Sequence, residues 1–232
     1  MSEIREKRRR RREKGPLGEP SNNKRIIGLV GVLAVLFVII GLVIWIGSGG
    51  SEPPVVTSDN VIGKGRLLGD ANAAVAIKDY SDFSCSHCRD AATDLTPEII
   101  KNYVDTGKVS FEFVPVGIIS EASIFAAQGA MCADDQGKFW EYHDKLFERQ
   151  GTDEFDLDTL SGYAEDVEID NYQDFRDCML SSKYRSQVEE NNQEFQRRGA
   201  RGTPTFIVGT ELIGGSIPFD QMQTIIDTQL SQ

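Results

Sequence analysis

Ala73-Ala74-Val75-Ala76-Ile77-Lys78-Asp79-Tyr80 runs directly into Ser81-Asp82-Phe83-Ser84-Cys85-Ser86-His87-Cys88. The first eight residues are a short, mostly apolar run bounded by Gly69-Asp70 and Ser81-Asp82, which predicts a largely buried strand. Beyond Cys88, Ala91, Ala92, Leu95, Ile99, Tyr103 and Val104 recur at helical spacing, and Gly107 follows as a C-cap would. Pro97 falls inside this helix, so a kink or restart is expected there, with Thr96 as a possible new N-cap. Val109 to Val116 alternates and carries Pro115 near its end, which predicts a second strand. Strand, helix, strand implies a βαβ unit with a parallel strand pair.

The junction places Cys85 at a helix N-terminus, where free backbone N–H groups and the positive end of the helix dipole favour an anion. Its thiolate is therefore favoured over its thiol, and protonated His87 adds positive charge within reach, with Arg89 as a second candidate. A stabilised thiolate exists in the dithiol form and not in the disulfide, so a lowered pKa makes the disulfide easier to give away. Each pKa unit corresponds to about 1.4 kcal/mol, or about 30 mV on the two-electron scale. Two alternatives compete: a zinc site and an inert structural disulfide. Zinc asks for four donors, and the chain has only two histidines, His87 and His143, so no metal is expected.

Downstream, no convincing strand occurs from about 120 to 199. Five helical patterns fill the interval: Ala122 to Cys132, Lys138 to Phe147, Asp158 to Val167, Tyr172 to Leu180 and Tyr184 to Phe195. Thr205 to Val208 and Glu211 to Ile213 then predict a hairpin across Gly209-Thr210, and Phe219 to Leu230 a last helix introduced by Pro218. Phe139, Trp140, His143, Leu146 and Phe147 are expected in the core.

Upstream, the composition changes. Residues 1–25 hold ten Lys/Arg against four acids; of the chain's 25 basic and 36 acidic residues this leaves 15 against 32, about −17, for the remainder. An acidic main domain is repelled by phosphates, which argues against nucleic acid. Ile26 to Ile46 is 21 residues without a charged side chain, roughly 30 Å as a helix and enough for one bilayer crossing. The run is longer than a signal-peptide core and no A-x-A pattern follows it, although Gly47 and Gly49 leave room for cleavage. The arginines at 8–12 should hold the N-terminus in the cytoplasm. The organisation expected is a basic cytoplasmic tail (1–25), a transmembrane anchor (26–46), a Gly/Ser/Pro linker (47–60) and one extracytoplasmic domain (61–232) with its helical insert. This describes a single-pass protein of the cell membrane.

Taken together, Asp79 to Cys88, Gly202-Thr203-Pro204-Thr205-Phe206 and Gln136-Gly137-Lys138-Phe139-Trp140 resemble three stretches of the DsbA-like branch of the thioredoxin superfamily, in the same order. The resemblance runs from about Gly69 to the C-terminus. It implies an α/β thioredoxin-like fold, a central mixed sheet flanked by helices and carrying the helical insert. It also implies Cys85 as nucleophile, Cys88 as resolving thiol, and Thr203 with a cis Pro204 as the surface that takes an extended substrate; an ordinary turn is the plainer alternative for Pro204. Asp79, six residues before Cys85, occupies the place of a buried acid that accepts the resolving thiol's proton, and a strand-edge Asp facing water fits the sequence equally well. Ser86 departs from the Pro that many relatives carry.

Cys132 and Cys178 fall on apolar helical faces of the insert. An even count of four in an oxidising compartment favours their pairing as a structural disulfide, with two free buried thiols or a redox relay as the alternatives. The function expected is a dithiol oxidase that donates the Cys85–Cys88 disulfide to reduced exported proteins, with no cofactor beyond that redox-active disulfide. A membrane quinone-linked partner, DsbB-like or VKOR-like, would re-oxidise it. An isomerase or reductase is the first alternative, and residues 47–60 are too short to supply a dimerisation domain. A tethered, non-redox peptide-binding assembly factor is the second.

Overall fold

A computed structural model describes residues 65–232. The basic tail, the apolar run 26–46 and the linker expected over 47–60 lie outside the described residues; among those described, no helix is long and apolar enough to cross a membrane.

Five strands, β1 (Leu67–Leu68), β2 (Val75–Ser81), β3 (Val109–Pro115), β4 (Thr205–Val208) and β5 (Glu211–Gly214), form one sheet in the order β1-β3-β2-β4-β5. β2 and β3 are parallel, with Ile77 opposite Phe111 and Asp79 opposite Phe113; the other pairs are antiparallel. The sheet is therefore mixed, and β2, paired on both sides, lies in its middle. Apolar side chains fill both faces: Val75, Ile77, Phe111 and Phe113 join the main core, while Tyr80, Val114 and Ile207 pack with Phe195 on the other side.

β2 starts at Val75 rather than Ala73, because Ala73 closes a turn onto the carbonyl of Asp70. The two-residue β1 was not anticipated; so short a strand carries no period to read.

After β2 the chain enters α1 (Ser86–Asp90), and helical geometry then continues without a break through Val104. Thr96 is not an N-cap: its backbone is helical (φ −60°, ψ −42°) and its buried hydroxyl has no partner. Pro97 is absorbed instead by wide π-type turns at Ala91–Leu95 and Ile100–Val104, on either side of the short α2 (Thr96–Ile99). In the first of these the Thr96 N–H reaches back to the Ala91 carbonyl, and the looser winding relieves the contact that a proline ring makes with the carbonyl four residues earlier.

The helical block comprises α3 (Glu121–Asp134), α4 (Phe139–Arg149), α5 (Leu157–Asp166), α6 (Tyr172–Leu180) and α7 (Arg185–Arg197), and α8 (Phe219–Leu230) closes the fold. Ser120, Asp156 and Asn171 accept backbone N–H groups at the starts of α3, α5 and α6, as N-caps do. A disulfide joins Cys132 on α3 to Cys178 on α6. α4 packs onto β3 through Phe139, Trp140, His143 and Phe147, whose rings surround Phe113; His143 is a buried member of this cluster.

Candidate active site

Cys85 is the residue at which the extended chain turns into α1 (φ −89°, ψ 118°). Its carbonyl accepts the N–H groups of Cys88 and Arg89 at 3.1 and 3.2 Å, and its own N–H donates to the Asp82 carbonyl at 2.9 Å. Its sulfur makes no full capping hydrogen bond to α1 and stays available at the helix tip, near the backbone N–H groups of His87 and Cys88. Cys85 is half-buried and Cys88 is 1% exposed, and both are free thiols.

The two sulfurs are tuned in opposite directions. The Cys88 thiol donates toward Cys85, which brings the Cys85 pKa down to about 5 against the opposing effect of burial. Thr203 and the backbone N–H groups of Cys88 and His87 add to the lowering. Burial, the same donation to Cys85 and the nearness of Asp79 push the Cys88 thiol well above its ordinary range. At neutral pH the site therefore holds a thiolate at Cys85 and a thiol at Cys88.

Asp79 lies beneath them, 2% exposed, on the central strand. Burial raises its pKa to about 7, offset in part by the Ser81 hydroxyl, which donates to it at 2.5 Å. Of the two sequence alternatives for Asp79, the structure adopts the buried one, because Asp79 shares the face of β2 on which Val75 and Ile77 enter the main core.

The Thr203–Pro204 peptide is cis, and the Thr203 carbonyl lies 3.3 Å from Cys85 Sγ as an acceptor for the neutral thiol. Residues 118 positions apart thus meet where β4 begins beside the end of β2. The His87 ring projects outward, with a side chain 75% exposed and Nδ1 3.8 Å from Asp90. Any positive charge on it is shared with that acid and screened by water, and what His87 brings to the Cys85 sulfur is its backbone N–H.

Two site residues escaped the sequence reading. Gln150, just past α4 and 8% exposed, donates its amide to the carbonyls of Phe83 (2.6 Å) and Cys85 (2.9 Å), tying the helical block to the active-site turn. Asp82, fully buried, accepts backbone N–H groups from both sides of the turn. An Asp two residues before a Ser is a recognisable turn signal, whereas nothing local marks Gln150. Gln150, Ser84, Ser86 and Arg89 also line a groove of about 680 Å³ beside the start of α1. Among the described residues no cluster of His, Cys, Asp and Glu is arranged to hold a metal.

A thiolate at a helix tip, a buried partner two residues on and a cis-proline turn against them, all on a mixed sheet with a helical insert, define a DsbA-like thiol:disulfide oxidoreductase. The chain belongs to the thioredoxin family, whose profile matches residues 62–228. It is 28% identical over 169 residues to disulfide bond formation protein D of Bacillus subtilis, covering 71% of this chain and 76% of that protein. The crystal structure of oxidised BdbD from Bacillus subtilis superimposes with a TM-score of 0.66 at 26% identity, covering 72% of this chain and 93% of that one. Chlamydia trachomatis DsbA gives a TM-score of 0.63 at 27% identity, covering 70% and 90%.

Proposed function

We propose that the chain is an extracytoplasmic dithiol oxidase, anchored by residues 26–46, that donates the Cys85–Cys88 disulfide to reduced exported proteins. The observation that carries this reading is the depressed pKa of Cys85, which stabilises the dithiol form and so makes the disulfide a stronger oxidant. The Bacillus subtilis relative, named for disulfide bond formation, points the same way.

In the forward step a substrate thiolate bonds to Cys85 Sγ, the Cys85–Cys88 bond breaks, and its electron pair leaves on Cys88 Sγ. Cys88 then takes up a proton, for which the Asp79 carboxyl beneath it is the source. A second substrate thiolate attacks the substrate sulfur of the mixed disulfide and releases Cys85 as its stabilised thiolate. The substrate loses two electrons and the protein gains them. Thr203 and Pro204 receive the extended substrate segment, and no cofactor beyond the disulfide takes part. Re-oxidation falls to a membrane quinone-linked partner, DsbB-like or VKOR-like.

Equilibration with glutathione tests the direction. An oxidase should show a potential clearly above the roughly −270 mV of thioredoxin. A value at or below that figure refutes the oxidase reading. The Cys88→Ala variant should in addition trap exported proteins as mixed disulfides through Cys85.

A further inference from the structure

Asp82 is the first residue after β2 and is fully buried. One carboxylate oxygen accepts the Ser84 N–H at 2.8 Å; the other accepts the N–H groups of Ile118 and Ile119 at 2.9 and 3.1 Å. Its carbonyl accepts the Cys85 N–H at 2.9 Å. Its own backbone N–H points at Cys88 Sγ, 3.4 Å away. A single residue thus bonds the active-site turn, the link between β3 and α3, and the buried sulfur.

That link is itself firmly held. Asn192 accepts the Gly117 N–H at 2.9 Å and donates to the Gly117 carbonyl at 3.0 Å, Asn191 donates to the Pro115 carbonyl at 2.9 Å, and the Val116 N–H reaches the Ser81 carbonyl at 3.0 Å. Gly117 is required here: a Cβ would stand 2.7 Å from the backbone of Ile124. The Asp82 side chain is therefore braced against a rigid segment, and its peptide has little freedom to turn away from Cys88.

We propose that Asp82 is a positioning residue for disulfide exchange, its side chain aiming its backbone N–H at Cys88 Sγ to stabilise the charge that sulfur acquires as the Cys85–Cys88 bond breaks. The inference rests on the oxidoreductase reading and deepens it. When an incoming thiolate bonds to Cys85 Sγ, the departing electron pair resides on Cys88, which is 1% exposed and so receives no help from bulk water. A fixed N–H donor takes the place of that water, as donors do at other sites of developing negative charge. The charge on Cys88 is transient in both directions, since the resting thiol is neutral and the disulfide carries none. A neutral thiol accepts far more weakly than a thiolate, so the donor lowers the barrier by much more than it favours the dithiol end state, which is the signature to look for.

The test uses the full chain and a small dithiol, dithiothreitol, which needs no binding groove. Asp82→Asn keeps the volume but sets an amide NH2 against backbone N–H donors, and so tilts the residue-82 peptide. Its oxidation of dithiothreitol and the reverse reaction with oxidised dithiothreitol should both slow by the same factor, on the order of 10-fold. The equilibrium constant and the Cys85 titration midpoint should stay at their wild-type values. Unchanged rates overturn the proposal. So does a shift of the Cys85 midpoint and the equilibrium constant together with the rates, which assigns Asp82 to shaping the Cys85 turn. Should Asp82→Asn fail to fold, replacing the residue-82 amide by an ester deletes the N–H and weakens the Ser81 carbonyl as acceptor of the Val116 N–H, and an ester at residue 116, which removes that second bond and spares the residue-82 N–H, is the control; slowing by the residue-82 ester beyond that of the control is expected, and equal rates overturn the proposal. If the wild-type chain itself exchanges no disulfide with dithiothreitol, the oxidoreductase reading fails, an outcome separate from any behaviour of the variants.

Discussion

Asp79→Asn should make the protein more stable at alkaline pH and leave it unchanged in acid. Asp79 is 2% exposed on the central strand and its pKa stands at about 7, against about 3.9 for an Asp in an unfolded chain. The group holds its proton more tightly in the folded state, so its contribution to stability is fully present below about pH 4 and is lost as pH rises through about 7. A displacement of about three units at 1.36 kcal/mol each gives a loss of about 4 kcal/mol across that window. Asn fits the same space, keeps an oxygen for the Ser81 hydroxyl and does not titrate. The stability difference between variant and wild type should grow from near zero at about pH 4 to as much as about 4 kcal/mol above about pH 7, then level off. Urea unfolding of the oxidised full chain across this range, followed by near-ultraviolet circular dichroism, measures it. Oxidation removes both active-site thiols from the titration, and burial, not either thiol, is what raises Asp79. A difference that is flat with pH, or that shrinks as pH rises, would refute the claim that Asp79 is a desolvated carboxyl.

Two further outcomes follow from the cysteines. In reduced protein the thiolate absorbance of Cys85 should titrate near about 5, and Cys88→Ala should move the midpoint upward, because the Cys88 thiol is the largest influence lowering it; an unmoved midpoint would show that the backbone N–H groups suffice. Because this pKa is depressed in the folded state, the stabilisation is present above the unfolded thiol pKa and is lost as pH falls through about 5. Replacing both Cys132 and Cys178 by Ala removes a bridge across 46 positions and should cost about 4 kcal/mol in urea unfolding while exchange with dithiothreitol persists. A cost below about 1 kcal/mol would show that the bridge does little to restrict the unfolded chain.

Elements with a repeating pattern or a terminal signal were legible. Pro218 and the period that follows it give the last helix its bounds, Phe219–Leu230, and all five helices of the insert stand where apolar spacing put them. The register of Cys85 at a strand-to-helix turn was equally local. Less legible were features that exist only through a distant partner. Pro97 reads as a helix breaker, yet the π-type turns beside it absorb the missing donor, and nothing in the period announces them. Asp79 could not be assigned to core or solvent until the face of β2 it shares with Val75 and Ile77 was known to enter the main core. Gln150 acquires its role from carbonyls 67 and 65 positions away, and an amide in a loop carries no signal of that kind.

Depth orders the chemistry of this site. Cys85 is half-buried, Cys88 is 1% exposed and Asp79 is 2% exposed, so an incoming thiolate can meet only the outer sulfur. One contact, the Cys88 thiol against the Cys85 sulfur, lowers the first pKa and raises the second, so the two cysteines differ in reactivity without differing in kind. In the proposed oxidation of a substrate, a low pKa on Cys85 makes it a good leaving group when product departs, and a high pKa on Cys88 would make it a poor one when substrate arrives. The difficult bond cleavage is thus the one that puts charge on Cys88, and there the chain places both a carboxyl that titrates near neutrality and a braced backbone N–H. Burial gives attack its direction, and the groups around the buried sulfur offset the barrier that burial raises.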